Sequence, residues 1–170
     1  MSQANVSITL NELNSSDRHT FVQAVGFVFE HSPWVAERAW ARKPFHTIEE
    51  LHRAMVDEVA SAGVDEQLLL LRAHPDLGTH ATMSSASAGE QTRAGFDSLI
   101  AADAGELSRL NTAYREKFGF PFLYAVKGST KRDILRAIET RLGSAREHEF
   151  GEALRQAYRI ARFRLDDLFS

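Results

Sequence analysis

The sequence contains no cysteine, which excludes disulfides, thiolate metal sites and a cysteine nucleophile. It also lacks a charge excess. Its 20 basic and 23 acidic residues leave a net charge of −3, and the two signs are mixed along the chain, so nothing marks it as a binder of nucleic acid or of an anionic membrane. No apolar run approaches the ~20 residues needed to span a bilayer. The start, M-S-Q-A-N-V-S-I-T-L, lacks a basic region followed by an apolar one, and Leu168-Phe169-Ser170 is not a peroxisomal tripeptide. No secretory signal is therefore expected, and the expected location is cytoplasmic. Internal repeats and low-complexity tracts are absent too. What remains is an ordinary globular composition, 44% apolar and 25% charged over 170 residues. That length most simply makes one domain, residues 1–170, able to bury a real core.

Helix punctuation is dense. Thr9-Leu10-Asn11-Glu12 has capping-box spacing, with a hydroxyl acceptor and a carboxylate three residues on. Ser16 is placed to cap a helix over about 17–30 with Phe21, Val22, Val25, Val28 and Phe29 on one face. Ser32-Pro33 reads as a cap followed by proline at the first helical position, opening a helix through Trp34 and Trp40 that ends before Pro44. Thr47-Ile48-Glu49-Glu50 is a second capping box, for a helix to about Ala60 with Gly63 as stop. A short apolar helix from Asp65 through Leu68–Leu71 must end at Ala73 or His74, because Pro75 disfavours the α region for the residue before it. Ser87-Ala88-Gly89-Glu90 is a third box, for a helix through Ala94, Phe96 and Leu99. A separate helix is expected over 104–118, stopped by Gly119. Thr130 caps a helix to Leu142, and Ser144–Glu147 is a further box for a last long helix. Phe120–Val126 is the one run with strand character, and without a partner run it reads as an extended linker crossing the core. The class is all-α, an irregular single-domain bundle of about seven to nine helices.

The longest stretch without helical period runs from Arg72 to Gln91 and gathers His74, Pro75, Asp76, His80, Ser87 and Glu90 between two helices. Loops of this kind on a rigid scaffold are where chemistry tends to sit. His74 falls at the carbonyl end of one helix, where the dipole favours its protonated form. Ser87 falls at the N–H end of the next, which favours an anion or a carbonyl oxygen. Structural roles compete with these. A helix-terminal histidine can satisfy last-turn carbonyls, a capping box accounts for Ser87 and Glu90, and Asp76 reads best as a turn residue. His19, His31, His46, His52 and His148 read as surface residues, and Lys127, Lys131 and Arg132 as a solvated face.

Three blocks carry a resemblance. His74-Pro75-Asp76-Leu77-Gly78, Ser87-Ala88-Gly89-Glu90-Gln91 with Ala94-Gly95-Phe96-Asp97, and Asn111 through Phe122 in N-T-A-Y-R-E-K-F-G-F-P-F together resemble the OHCU decarboxylase family. The likeness runs from the first helix to Arg164-Leu165. It implies decarboxylation of 2-oxo-4-hydroxy-4-carboxy-5-ureidoimidazoline to (S)-allantoin and CO2 in uric acid breakdown, by an all-α enzyme without cofactor that forms a homodimer. It also implies a role for particular residues. His74 matches the histidine taken as catalytic acid. Pro75, the block Ser87, Ala88, Gly89, Glu90 and Gln91, and the block Phe122, Leu123, Tyr124, Ala125 and Val126 match substrate-contacting positions. Arg164 matches a basic residue near the site. The chain departs from the family in a shorter connection between Leu77 and Ser87, and in A-G-F-D where A-G-L-D is usual.

The chemistry suits these groups. Losing CO2 leaves an electron pair on a ring carbon that an adjacent C=N or C=O already stabilises, so the protein must supply orientation, a dry pocket and one proton. His74 is the expected proton donor. Glu90 is expected to hold the His74 tautomer or bind the ureido N–H groups, and Arg164 to pair with the substrate carboxylate. Backbone groups near Leu123–Val126 suit the ring amides, whereas Phe120 and Phe122 suit the core. Two other functions stand beside this one. A metal-dependent hydrolase would use His74, Asp76, His80 and Glu90, although H-x-D-x-x-x-H in a loop is not the helical H-E-x-x-H spacing. A non-catalytic helical interaction module would use the 21–29 face and Trp34/Trp40.

Overall fold

The computed structural model describes residues 8–77 and 96–170, and among these the secondary structure is helical without a strand. Eight α-helices are present among the described residues: α1 Leu10–Ser15, α2 Arg18–Val25, α3 Trp34–Ala39, α4 Ile48–Ala60, α5 Val64–Arg72, α6 Phe96–Phe118, α7 Lys131–Leu142 and α8 Arg146–Phe169. Single 3₁₀ turns continue α2 over Gly26–Val28 and α3 over Trp40–Arg42. The all-α class and the helix count agree with the sequence.

The chain groups into two compact units, Met1–Gln67 with Ile160–Ser170, and Leu68–Arg159. In the first, α2 and α4 pack on α3, and Leu13, Phe21, Val25, Val35, Leu51, Met55 and Val59 are fully buried. In the second, α6 packs along α7 around Leu70, Leu71, Tyr114, Phe118, Ile134 and Ile138. Tyr114 gathers the aromatic cluster of this unit, with ring centroids 4.6 Å from Phe118 and 5.3 Å from Phe122. The Phe120–Val126 run is non-helical and buried, apart from half-exposed Tyr124, as expected of a linker through the core.

Several boundaries differ from the sequence expectation. Ser16 does not cap α2; its hydroxyl donates to Leu13 O and closes α1, while Asp17 accepts from the Thr20 N–H as the N-cap. Ser32 likewise donates to Glu30 O instead of capping α3. α2 stops at Val25 and tightens into a 3₁₀ turn before reaching residue 30, and His31 takes φ 48. At Thr47 the cap forms, but Glu50 accepts from His46 N–H rather than from Thr47. Thr9 and Thr130 make full reciprocal boxes with Glu12 and Asp133. The two helices expected between Phe96 and Phe118 are one. The intervening Ala101-Ala102-Asp103-Ala104 is rich in the best helix former, and one glycine, Gly105, costs a helix only about 1 kcal/mol. His52 is half-buried rather than on the surface. The Ser87–Glu90 box lies outside the described residues.

Candidate active site

α5 carries Leu70 and Leu71 into the core of the second unit. Its last turn closes with the Ala73 N–H donating to Leu69 O and Leu70 O, and the His74 N–H to Leu71 O at 3.2 Å. Pro75 follows, and the helix cannot continue. His74 therefore sits at the carbonyl end of a helix, and only 6% of it is exposed. The turn around it is fastened to α6 and the residue after it. Arg72 Nε donates to the Gly119 carbonyl at 2.9 Å, Arg115 pairs with Asp76 at 2.7 Å, and Asn111 Nδ2 donates to the Leu77 carbonyl at 2.9 Å in a buried contact. Gly119 takes φ 83, the left-handed conformation that ends α6 and that glycine adopts without a Cβ penalty. Asp76 thus has the structural work expected of a turn residue.

Residues 122–126 belong to the same unit. Leu123 O accepts from Arg141 Nη1 at 2.7 Å, the Ala125 N–H donates to Gln156 Oε1 at 3.0 Å, and Val126 O accepts from the Ser129 N–H at 3.0 Å. Arg141 is itself held. Its Nε donates to Glu149 Oε1, its Nη2 lies 3.3 Å from the Tyr114 hydroxyl, and its guanidinium stands 4.5 Å over the Phe122 ring. Tyr114 donates to Glu149 Oε1 at 2.5 Å. Burial, first, and the hydrogen bond to Glu149 push the Tyr114 phenol well above its usual range, so it stays a donor. Glu149 is fully buried and its second oxygen has no hydrogen-bond partner among the described residues. Compensation of its charge therefore falls to Arg141 and Tyr114.

Arg164 lies in the first unit. Its Nη2 pairs with Glu30 Oε2 at 2.8 Å and its Nη1 donates to Phe27 O at 3.1 Å, with both side chains buried. Asp166 meets Arg162 at 2.9 Å. Ser87, Ala88, Gly89, Glu90, Gln91 and His80 lie outside the described residues, and with them half of the loop set of the metal reading. Sequence reasoning missed Tyr114, Arg141, Glu149 and Gln156. A signal existed on α8. Its buried residues, Glu149, Ala153, Leu154, Gln156, Ala157, Ile160, Ala161, Arg164 and Leu165, keep a helical period in which three polar side chains fall among alanines and aliphatic residues.

Comparison with known proteins places these features in company. The family model described as OHCU decarboxylase matches residues 14–166. A uric acid degradation bifunctional protein, PucL, of Bacillus subtilis is 47% identical over 162 residues, covering 95% of this chain and 33% of that protein. The 2-oxo-4-hydroxy-4-carboxy-5-ureidoimidazoline decarboxylase of Halalkalicoccus jeotgali is 45% identical over 161 residues, covering 95% of this chain and 92% of that protein. Thus the chain spans about a third of the bifunctional relative but nearly all of the single-function one. Among solved structures, an (S)-allantoin synthase superposes with a TM-score of 0.73 at 32% identity, over 96% of this chain and 54% of that one.

Proposed function

The chain belongs to the OHCU decarboxylase family, and on that premise we propose that it turns 2-oxo-4-hydroxy-4-carboxy-5-ureidoimidazoline into (S)-allantoin and CO2 with His74 as proton donor. It is a carboxy-lyase of uric acid degradation. The bond from the hydroxyl-bearing ring carbon to the carboxylate breaks and CO2 leaves; the electron pair forms a double bond to the adjacent ureido-bearing carbon as that carbon's C=N bond opens and its ring nitrogen takes up a proton. His74 then delivers a proton to one face of the ureido-bearing carbon, while the neighbouring hydroxyl gives up its own and becomes the ring carbonyl. The position of His74 carries this reading: it is buried at the carbonyl end of α5, in a turn fixed by Arg72, Asp76 and Leu77. No external electron sink enters the scheme, because the substrate ring supplies one.

The Phe122–Val126 backbone is assigned to the ring amides, and Pro75 to the wall beside His74. Ser87, Ala88, Gly89, Glu90, Gln91 and Arg164 enter on the resemblance alone, Glu90 as a second catalytic group and Arg164 as the carboxylate's partner. A cytoplasmic homodimer of one-domain chains belongs to the same reading. Light scattering at twice the 19.0 kDa chain mass checks the dimer.

The test uses substrate made freshly with uricase and the preceding hydrolase, followed by circular dichroism. Wild-type protein is expected to form (S)-allantoin, and His74→Asn to leave only the uncatalysed rate while its far-ultraviolet spectrum stays helical. Near-normal production of the S enantiomer by the variant would remove His74 from the proton-donor role.

A further inference from the structure

The run Phe120–Val126 has no helix or ladder to fix its backbone, yet two of its peptide groups are tied down by largely buried side chains on α7 and α8. Arg141 donates to Leu123 O, and Gln156 accepts from the Ala125 N–H. Arg141 is locked in turn by Glu149 and Tyr114, and Gln156 by a hydrogen bond from its Nε2 to Glu152 at 2.9 Å. We propose that Arg141 and Gln156 are positioning residues for the decarboxylation: together they hold the Phe122–Val126 backbone in the register that receives the ureidoimidazoline ring. The inference rests on the assignment of that run to substrate in the functional reading above.

Two physical considerations lead there. First, the arrangement is costly if stability is its only purpose. Glu149 is completely buried and the Arg141 side chain is 11% exposed. Buried ion pairs of this kind are often replaceable by apolar side chains without loss of stability, and Tyr114, Phe118, Phe120 and Phe122 already supply an aromatic core. What apolar groups cannot do is fix a backbone carbonyl in place; a guanidinium fork can. Second, the groups that bind the ring must themselves be held to within about 0.5 Å of the binding geometry, because ordering a loose backbone at the moment of binding costs affinity. A backbone run without regular structure needs clamps to meet that tolerance. The clamped atoms, Leu123 O and the Ala125 N–H, flank Tyr124, and across each planar trans peptide the N–H points away from the C=O. The peptide groups of Tyr124, on the other face, are therefore the ones we assign to the ring.

Three variants and one measurement on the unaltered protein test this. Gln156→Met keeps the volume and removes the acceptor; Arg141→Lys keeps the charge and removes the fork. Each is expected to raise KM about tenfold with kcat changed much less, the pattern of lost ground-state positioning. Pairing Gln156→Glu with Glu152→Gln, which keeps both the acceptor for the Ala125 N–H and a hydrogen bond between 152 and 156, is expected to recover most of the KM. A variant that melts at lower temperature but keeps its KM when assayed well below melting would overturn the proposal. Should the variants fail to fold, amide resonances of the wild-type protein titrated with (S)-allantoin decide: Tyr124 and its neighbours shift under the proposal. Shifts elsewhere that bypass residues 122–126 would overturn it. Absence of turnover by wild-type protein would instead sink the decarboxylase reading, and this inference with it.

Discussion

Glu30 and Arg164 are buried with their charges 2.8 Å apart, and neither charge has solvent to fall back on. Taking ions out of water costs several kcal/mol each, and their mutual attraction offsets that only while both are present. Glu30→Ala is accordingly expected to lower the free energy of unfolding by about 3–5 kcal/mol, measured by urea denaturation at neutral pH. Replacing both residues with apolar ones of similar volume is expected to recover most of that loss. An equal loss in the double variant would assign the effect to packing. The helix end before Pro75 was legible because proline disfavours the α region for His74. The burial of Glu149 and the pairing of Arg164 with Glu30 were not: a charged side chain on a long helix looks exposed until its partner, Arg141 or Glu30, is known, and those partners lie 8 and 134 residues away.

Among the elements, α7 shows most directly how local sequence sets a boundary. Thr130 Oγ1 accepts from the Asp133 N–H at 3.2 Å while Asp133 Oδ2 accepts from the Thr130 N–H at 3.0 Å. The hydrogen bonds from the Thr130 backbone and side chain hold the Asp133 carboxyl below its ordinary value of 3.8. A carboxyl depressed on folding contributes stability that is complete above its unfolded value and disappears as pH falls through the folded one. The melting temperature of wild type is therefore expected to exceed that of Asp133→Asn above about pH 4, with the gap closing in stronger acid. A gap independent of pH would sink the charge account. Thr130→Ala is expected to cost about 1 kcal/mol at neutral pH. The caps at Thr9, Thr47 and Thr130 were legible because a cap acts within four residues, whereas Ser16 and Ser32 turn their hydroxyls to Leu13 O and Glu30 O instead. The fusion of two expected helices into α6, and the 3₁₀ tightening at Gly26–Val28, were not. Neither leaves a distinctive short motif.

For the whole molecule, the division into two units is crossed twice by unbroken helices, α5 at Gln67–Leu68 and α8 at Arg159–Ile160. A helix is cooperative along its length, so neither unit can melt without fraying helices that the other shares. One calorimetric transition is expected, with van't Hoff and calorimetric enthalpies equal. Two resolved transitions would show that residues 1–170 are not a single cooperative domain. The all-α class was legible from caps and periodicity; the grouping of Ile160–Ser170 with the N-terminal half was not, since nothing within α8 marks the change.

α8 also carries both anchors of the Phe122–Val126 run, Glu149 through Arg141 and Gln156 directly. They are seven residues apart, two helical turns, and so share a face to within about 20°. Removing or adding one residue between them would swing one anchor by about 100° around the helix axis, turning it from the core toward solvent. Changes in chain length are thus forbidden between 149 and 156, whereas the Gly128–Ser129 turn can absorb them. Natural length variants of this protein, and circular permutants built from it, are expected to respect that boundary.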